Sequence, residues 1–138
     1  MNSKDAVNVL IIDEDEINNF ILEKLIKKVL AKVNITICEN GALAMDHLLT
    51  TIKKDRAYPD FIFVDITMPV MNGWTFLEEY LHYDLNKIFY AKIFIATSSV
   101  FKQDRDRAFR FPIVEGFITK PFSLEVLRDV FDISPRLV

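Results

Sequence analysis

The sequence has little cysteine and no long apolar run. Cys38 is the only cysteine among 138 residues, which excludes an internal disulfide and a cysteine-rich metal site and suits a reducing compartment. No apolar run approaches the length of about 18 residues that a membrane span needs. The first residues also lack the apolar segment and small-residue cleavage site of a signal peptide. These absences predict a cytoplasmic protein that does not bind membranes.

The chain also lacks a strong charge of either sign. A net charge of −3 at pH 7 gives no overall attraction to nucleic acid or to an anionic membrane. The content of 51% hydrophobic and 12% aromatic residues excludes a disordered acidic chain, and the length suits one domain with a buried core. We therefore expect a single domain over residues 1–138, with no effector domain.

Five short apolar runs indicate strands. They are rich in Val, Ile and Phe and mostly lack strict alternation, which is typical of strands buried on both faces. They cover residues 7–12, 33–38, 61–64, 92–97 and 116–119. Their alternation with helix-length segments predicts a doubly wound parallel α/β sheet, in which right-handed crossovers place helices on both faces.

Apolar residues at helical spacing predict the intervening helices. These segments cover residues 16–31, 41–54, 74–83 and 123–132, whereas the apolar positions of 99–112 are irregular. In the first helix one side carries Ile17, Phe20, Ile21, Leu25 and Val29, and we expect that side to face the core. Ser123 is a suitable N-cap for the last helix.

Polar side chains follow or end four of the predicted strands. Asp13 and Glu14 follow the first strand and Asp65 follows the third, while Thr97 ends the fourth and Lys120 follows the fifth. In an open parallel sheet, ligands bind outside the carboxyl ends of the strands. One polar strand end is unremarkable, but five such residues at the same edge favour a functional site.

These residue types suit phosphoryl transfer. Mg²⁺ takes oxygen ligands, prefers one or two protein carboxylates and completes its coordination with water and phosphate oxygens. A carboxylate can also be the nucleophile, which gives an aspartyl phosphate. The transition state then needs positive charge around the phosphoryl oxygens, which Mg²⁺ and a lysine supply.

Four segments make the sequence similar to the receiver domains of two-component response regulators. They are the acidic pair at 13–14, VDITMPVMNGWTFL at 64–77, ATSS at 96–99 and TKPF at 119–122, so the resemblance covers essentially the whole chain. It implies a flavodoxin-like, five-stranded parallel sheet with strand order 2-1-3-4-5. It also implies a stand-alone response regulator that is not an enzyme beyond catalysing its own phosphorylation and slow dephosphorylation.

The resemblance implies a Mg²⁺ site around the residue that receives the phosphoryl group. Asp65 matches the phosphoacceptor, and Asp13 and Glu14 match the acidic pair around the metal. The backbone carbonyl of Thr67 would be a further ligand. The second acid of the pair is usually Asp in this family. The extra methylene of Glu14 moves its carboxylate by about 1.5 Å, a shift that Mg²⁺ tolerates poorly.

The resemblance also assigns the residues that bind the phosphoryl group and those that switch. Thr97 and Lys120 would hold phosphoryl oxygens, and Phe117 with Thr97 matches the switch position. Since Phe117 has no hydroxyl, any switching there must act through packing. The family further implies a cis Lys120-Pro121 bond, a geometry found almost entirely at X-Pro.

The partners implied by the resemblance are proteins. A sensor histidine kinase or phosphotransfer protein would donate the phosphoryl group. A downstream target would bind the face made by the fourth helix, fifth strand and fifth helix, which is also a surface for a homodimer. The run KQDRDRAFR at 102–110 interleaves both signs of charge, which favours a solvated helix over direct contact with nucleic acid.

Two other functions fit part of the sequence. VLIIDEDEI at 9–17 fits a haloacid-dehalogenase-type phosphatase with Asp13 as nucleophile and Asp15 as general acid. That interpretation lacks the later glycine-aspartate turn and leaves Asp65 unexplained, so the receiver is favoured. Glu14 instead supports a pseudo-receiver, which would bind partners without being phosphorylated.

Overall fold

The strands form one parallel sheet in the predicted order. The computed structural model describes residues 6–55, 57–68 and 70–132, and within them it has five strands in the order β2-β1-β3-β4-β5. The strands are β1 (Val7–Ile12), β2 (Val33–Cys38), β3 (Phe61–Val64), β4 (Lys92–Thr97) and β5 (Val114–Thr119). Every neighbouring pair is parallel. The flavodoxin-like fold is therefore confirmed.

Helices cover both faces of the sheet, as predicted. They are α1 (Glu16–Val29), α2 (Gly41–Lys54), α3 (Gly73–His82), α4 (Lys102–Ala108) and α5 (Leu124–Val130), with a 3₁₀ turn at Leu85–Lys87. Buried residues of α2, α3 and α4 form one core, and buried residues of α1 and α5 form the other. Leu10 and Ile12 of β1 face the first core, whereas Val9 and Ile11 face the second. This two-sided burial explains why the inner strands β1, β3 and β4 lack a strict alternation of polarity.

Side-chain caps fix the start of four helices. Asp15, Asn40, Asn72 and Ser123 each accept a hydrogen bond from a backbone N–H in the first turn, which satisfies a donor that the helix leaves free. The Ser123 cap is as predicted. Phe101, before α4, makes no side-chain cap bond. In the described part of the chain, no helix has the length and apolar character that a membrane crossing requires.

The predicted core-facing side of α1 is wrong in part. Ile17 is 74% exposed, and Phe20 and Ile21 are also exposed, whereas the buried residues of α1 are Asn19, Leu22 and Ile26. The helix is therefore rotated relative to the side that its apolar residues indicated. The buried side includes Asn19, a polar residue for which the apolar pattern predicted no contact with the core.

The sheet ladder continues one residue past the strand ends, and this fixes the backbone at the edge. The N–H of Asp13 donates to the Cys38 carbonyl (3.0 Å), and that of Asp65 donates to the Ile12 carbonyl (2.9 Å). The N–H of Lys120 likewise donates to the Thr97 carbonyl (2.9 Å). Residues from separate strands are thus held at one edge by main-chain bonds.

Tyr80 gives a test of the α3 core. Its side chain is 1% exposed, and its hydroxyl has no hydrogen-bond partner among the described residues. A buried hydroxyl without a partner loses its bonds to water and gains none. We expect Tyr80→Phe to raise the free energy of unfolding by about 1 kcal/mol, measured as the urea midpoint at unchanged m.

The matched control is Tyr58→Phe, since the Tyr58 hydroxyl donates to Asp55 Oδ1 at 2.8 Å. Its removal should leave stability unchanged or slightly lower. A clear loss of stability in Tyr80→Phe would show that the buried hydroxyl has a partner, such as an ordered water.

Candidate functional site

Two buried carboxylates and a lysine form the centre of the site. Asp13 is 3% exposed and Asp65 is 9% exposed. Lys120 Nζ lies 2.5 Å from Asp13 Oδ2 and 3.3 Å from Asp65 Oδ2. Buried charges are costly unless they are paired, so the ammonium group offsets part of the charge of both carboxylates. The structure thus brings together three of the residues that the sequence placed at this edge.

The pKa of Lys120 follows from these contacts. Burial alone lowers the pKa of a lysine, but the hydrogen bonds and negative charges of Asp13 and Asp65 outweigh that effect and raise it above its ordinary value. Lys120 therefore stays positively charged at neutral pH. The bond from Lys120 to Pro121 is cis, as the resemblance implied.

Asp13 is held by residues of the first turns of α1 that sequence analysis missed. The Asp15 N–H donates to Asp13 Oδ1 (3.0 Å), and Asn18 Nδ2 donates to Asp13 Oδ2 (3.1 Å). Asn19 Nδ2 donates to the backbone carbonyl of Asp13 (2.9 Å), and Asn19 is buried. The only signal in the sequence was the adjacent asparagine pair at 18–19, which interrupts an amphipathic helix.

The segment after Asp65 folds back onto it. The Thr67 N–H donates to Asp65 Oδ1 (3.2 Å), and the Gly73 N–H donates to the Ile66 carbonyl (3.3 Å). A Cβ on Gly73 would lie 2.4 Å from the Asp65 carbonyl oxygen, so only glycine allows α3 to begin this close. Pro69, part of the motif used in sequence analysis, lies outside the described residues.

Thr97 lies at the same edge of the sheet, but the hydrogen bond of its side chain is to Ser99 and not to Asp13, Asp65 or Lys120. It is 2% exposed, and its Oγ1 accepts a hydrogen bond from the Ser99 N–H (3.3 Å). The Ser99 hydroxyl in turn donates to Asp104 Oδ2 in α4. This pair, also missed in sequence analysis, connects the end of β4 to the first turn of α4.

Glu14 does not join Asp13, Asp65 and Lys120 at the centre of the site. Its side chain is exposed, and no three acidic, histidine or cysteine side chains within the described ranges are grouped closely enough to hold a metal ion. The donor set that is assembled consists of the two carboxylates of Asp13 and Asp65. Two carboxylate donors fit Mg²⁺, which usually binds one or two protein carboxylates and keeps several waters.

Aromatic rings connect α4 to its neighbours. Phe117 is half-buried against the α2–α4 core, and the Arg105 guanidinium lies 5.3 Å from the centre of its ring. The Arg107 guanidinium lies 4.5 Å from the centre of the Trp74 ring. Trp74 in turn stacks on Phe111, with the two ring centres 6.2 Å apart. Cation–π contacts of this kind contribute about 0.5–2 kcal/mol each. The two arginines were not predicted to have a role.

Comparison with known proteins identifies the family. A family model described as the response regulator receiver domain matches residues 9–132, so the chain belongs to the receiver domain family of two-component response regulators. The sensor histidine kinase CheAY of Helicobacter pylori is 36% identical over 138 residues, which are 99% of this chain and 16% of that protein.

Solved structures agree in fold. A two-component response regulator from Legionella pneumophila is 28% identical, with a TM-score of 0.76 over 92% of this chain and 96% of that chain. Another from Cytophaga hutchinsonii is 24% identical and shares the fold, with a TM-score of 0.83 over 94% and 97% of the two chains. The chain spans only 10–16% of the length of CheAY and of two Dictyostelium discoideum relatives.

Gly73 provides a test of the closure around Asp65. In Gly73→Ala the new Cβ would lie 2.4 Å from the Asp65 carbonyl oxygen and 2.8 Å from Ile66 Cα, and neither backbone atom can move freely. We expect a loss of about 1–3 kcal/mol in the free energy of unfolding, measured by urea denaturation.

Gly116→Ala is the matched control. Its Cβ would meet only atoms of the Phe94 side chain, at 3.0 Å, so a small ring movement relieves the contact. We expect a change within about 1 kcal/mol. Equal losses in the two variants would contradict the close approach of α3 to the Asp65 backbone.

Proposed function

We propose that this receiver domain accepts a phosphoryl group on Asp65 from a phosphohistidine, in a Mg²⁺-dependent reaction. The observation that supports this proposal most strongly is the pair of buried carboxylates, Asp13 and Asp65, bridged by Lys120. Receiver domains are generally Mg²⁺-dependent, and they interact with histidine kinases or phosphotransfer proteins. The donor for this chain is then a sensor histidine kinase or a phosphotransfer protein in the cytoplasm.

In the transfer step a carboxylate oxygen of Asp65 forms a bond to phosphorus as the phosphorus–nitrogen bond of the phosphohistidine breaks. The bonding electrons go to the imidazole nitrogen of the donor. The Lys120 ammonium then offsets the negative charge of a phosphoryl oxygen, and the Thr97 hydroxyl donates to another. Water later hydrolyses the acyl phosphate slowly and restores the carboxylate.

Asp13, Asp65 and the backbone carbonyl of Thr67 are the groups that would hold Mg²⁺. When bound, the ion supplies positive charge next to the phosphoryl oxygens. We assign Glu14 to the outer edge of this site, because its side chain is exposed. From this outer position Glu14 would add negative charge near the ion without being one of the groups that hold it.

The phosphorylated domain would act through protein contacts. Phe117 and Thr97 form the proposed switch, since a Thr97 hydroxyl drawn toward the phosphoryl group would free space for the half-buried ring. The proposed output face comprises α4, β5 and α5, where Phe101 and Phe109 are exposed. A downstream protein or a second copy of the chain would bind there, and no contact with nucleic acid is expected. The stand-alone arrangement stays a prediction.

The phosphoacceptor is tested by Asp65→Asn. The amide has the shape of the carboxylate but is a poor nucleophile, so we expect no covalent adduct after treatment with acetyl phosphate and Mg²⁺. Intact mass spectrometry measures the gain of one phosphoryl group. Asp84→Asn, an exposed residue on the turn after α3, is the control and should be modified like the wild type.

Three outcomes separate the hypotheses for this chain. An adduct of full yield on Asp65→Asn would refute the assignment of Asp65. An adduct that instead disappears in Asp13→Asn, and maps to Asp13 in the wild type, would support the phosphatase-type mechanism. A wild type that gains no phosphoryl group from any donor would support the pseudo-receiver.

Glu14 is tested by Glu14→Asp, which restores the acid usual in this family. If the longer side chain keeps Glu14 from the metal, the shorter one should tighten Mg²⁺ binding or speed phosphorylation. A tenfold gain in affinity would correspond to about 1.4 kcal/mol and is readily measured by calorimetric titration. Glu16→Asp, also exposed, is the control. Unchanged affinity and rate would show that the length of residue 14 does not limit metal binding.

A further inference from the structure

The hydrogen bonds of the Asp13 carboxylate are unevenly distributed. Oδ2 accepts from Lys120 Nζ (2.5 Å) and from Asn18 Nδ2 (3.1 Å), whereas Oδ1 accepts only the Asp15 N–H (3.0 Å) among the described residues. Each carboxylate oxygen has about two lone-pair sites. Oδ2 is therefore fully used, and the remaining lone pair of the carboxylate lies on Oδ1.

The two donors to Oδ2 respond differently to a metal ion. The Lys120 ammonium has the same sign of charge as a divalent cation, so the two repel each other over a few ångströms. In the proposed reaction Lys120 is also needed at a phosphoryl oxygen. Lys120 therefore cannot hold Asp13 throughout the reaction, whereas the Asn18 amide is neutral and can stay on Oδ2 beside the cation.

A second amide fixes the main chain at the same residue. Asn19 Nδ2 donates to the Asp13 carbonyl at 2.9 Å in a buried position. The backbone N–H groups of Asn18 and Asn19 bond to Asp15, one to its side chain and one to its carbonyl, at 3.0 and 2.9 Å. These bonds hold the start of α1 in place. The backbone of Asn18 is therefore fixed at a position from which its side chain can bond to Asp13.

We propose that Asn18 is a positioning residue for the metal, which orients the Asp13 carboxylate so that Oδ1 faces Mg²⁺. This inference rests on the proposed function of Asp13 as a metal ligand. Residues that hydrogen-bond to metal-ligating carboxylates fix their orientation, and losing such a residue typically weakens metal affinity by about 10–100-fold. Asn18 would act through Asp13 and would not itself touch the metal or the phosphoryl group.

The test is the Mg²⁺ affinity of Asn18→Ala, measured by isothermal titration calorimetry on the unphosphorylated protein. We expect the dissociation constant to rise about tenfold or more. Asn18→Leu, which keeps the branched shape at Cγ but has no donor, should behave in the same way. Asn34→Ala is the matched control, because Asn34 Nδ2 donates to Asn8 Oδ1 at 3.2 Å at an exposed place on β2. Its Mg²⁺ affinity should equal that of the wild type.

The phosphorylation rate gives a second readout that a purely structural role would not produce. If Asn18 acts through metal binding, the slower reaction of Asn18→Ala with acetyl phosphate should return to the wild-type rate when Mg²⁺ is raised to saturation. The thermal midpoint without Mg²⁺ should change little, whereas the rise that Mg²⁺ produces in the wild type should be smaller in the variant at equal Mg²⁺.

The outcomes separate this inference from the proposed function. Equal Mg²⁺ affinity in Asn18→Ala and wild type would overturn the role of Asn18 and leave the assignment of Asp65 intact. A rate defect that saturating Mg²⁺ does not restore would also overturn it. A wild type that neither binds Mg²⁺ nor gains a phosphoryl group would overturn the proposed function and, with it, this inference.

Discussion

The charge balance among Asp13, Asp65 and Lys120 is the constraint on which the rest of the site depends. Lys120 is 107 residues from Asp13 and 55 from Asp65 along the chain, so the three groups meet only when β1, β3 and β5 are in place in one sheet. One ammonium beside two carboxylates leaves a net negative charge at a buried position. Such a site favours a further cation, and removing Lys120 would leave two unpaired carboxylates close together.

Main-chain hydrogen bonds position these groups independently of the contacts between their side chains. The backbone bonds that extend the ladder past β1, β3 and β5 anchor Asp13, Asp65 and Lys120 one residue beyond the sheet. Gly73 then allows the start of α3 to approach the Asp65 backbone. Because a rigid scaffold holds each side chain, little reorganisation would be needed as charge develops in the proposed phosphoryl transfer.

The sequence predicted what depends on patterns along the chain. Buried strands and polar strand ends follow from local composition, and the residues at the edge were found for that reason. The structure starts β5 at Val114, two residues before the predicted strand. A register shift between Ile93 and Phe94 leaves Glu115 as an extra residue within β5, which composition does not mark. Short interruptions of the ladder of this kind depend on the partner strand.

Hydrogen bonds of particular side chains could not be predicted from the sequence, because they do not depend on patterns along the chain. Asn18 and Asn19 both bond to Asp13, and Ser99 bonds to Asp104. These bonds depend on the geometry of the loops after β1 and β4, which apolar periodicity does not encode. The rotation of α1 shows the limit plainly. Its apolar side suggested burial of Ile17, yet the side that faces the sheet carries Leu22 and Ile26 together with Asn19, whose amide donates to the Asp13 carbonyl.

The stacking of Trp74 has a consequence for how the molecule can be observed. Trp74 is the only tryptophan in the sequence. It follows the glycine that packs on the Asp65 backbone, and its ring contacts both the Phe111 ring and the Arg107 guanidinium of α4. Indole emission depends on nearby charge and on solvent. The protein therefore carries a built-in fluorophore at the junction of α3 and α4, whose emission reports movement of α4 without any attached label.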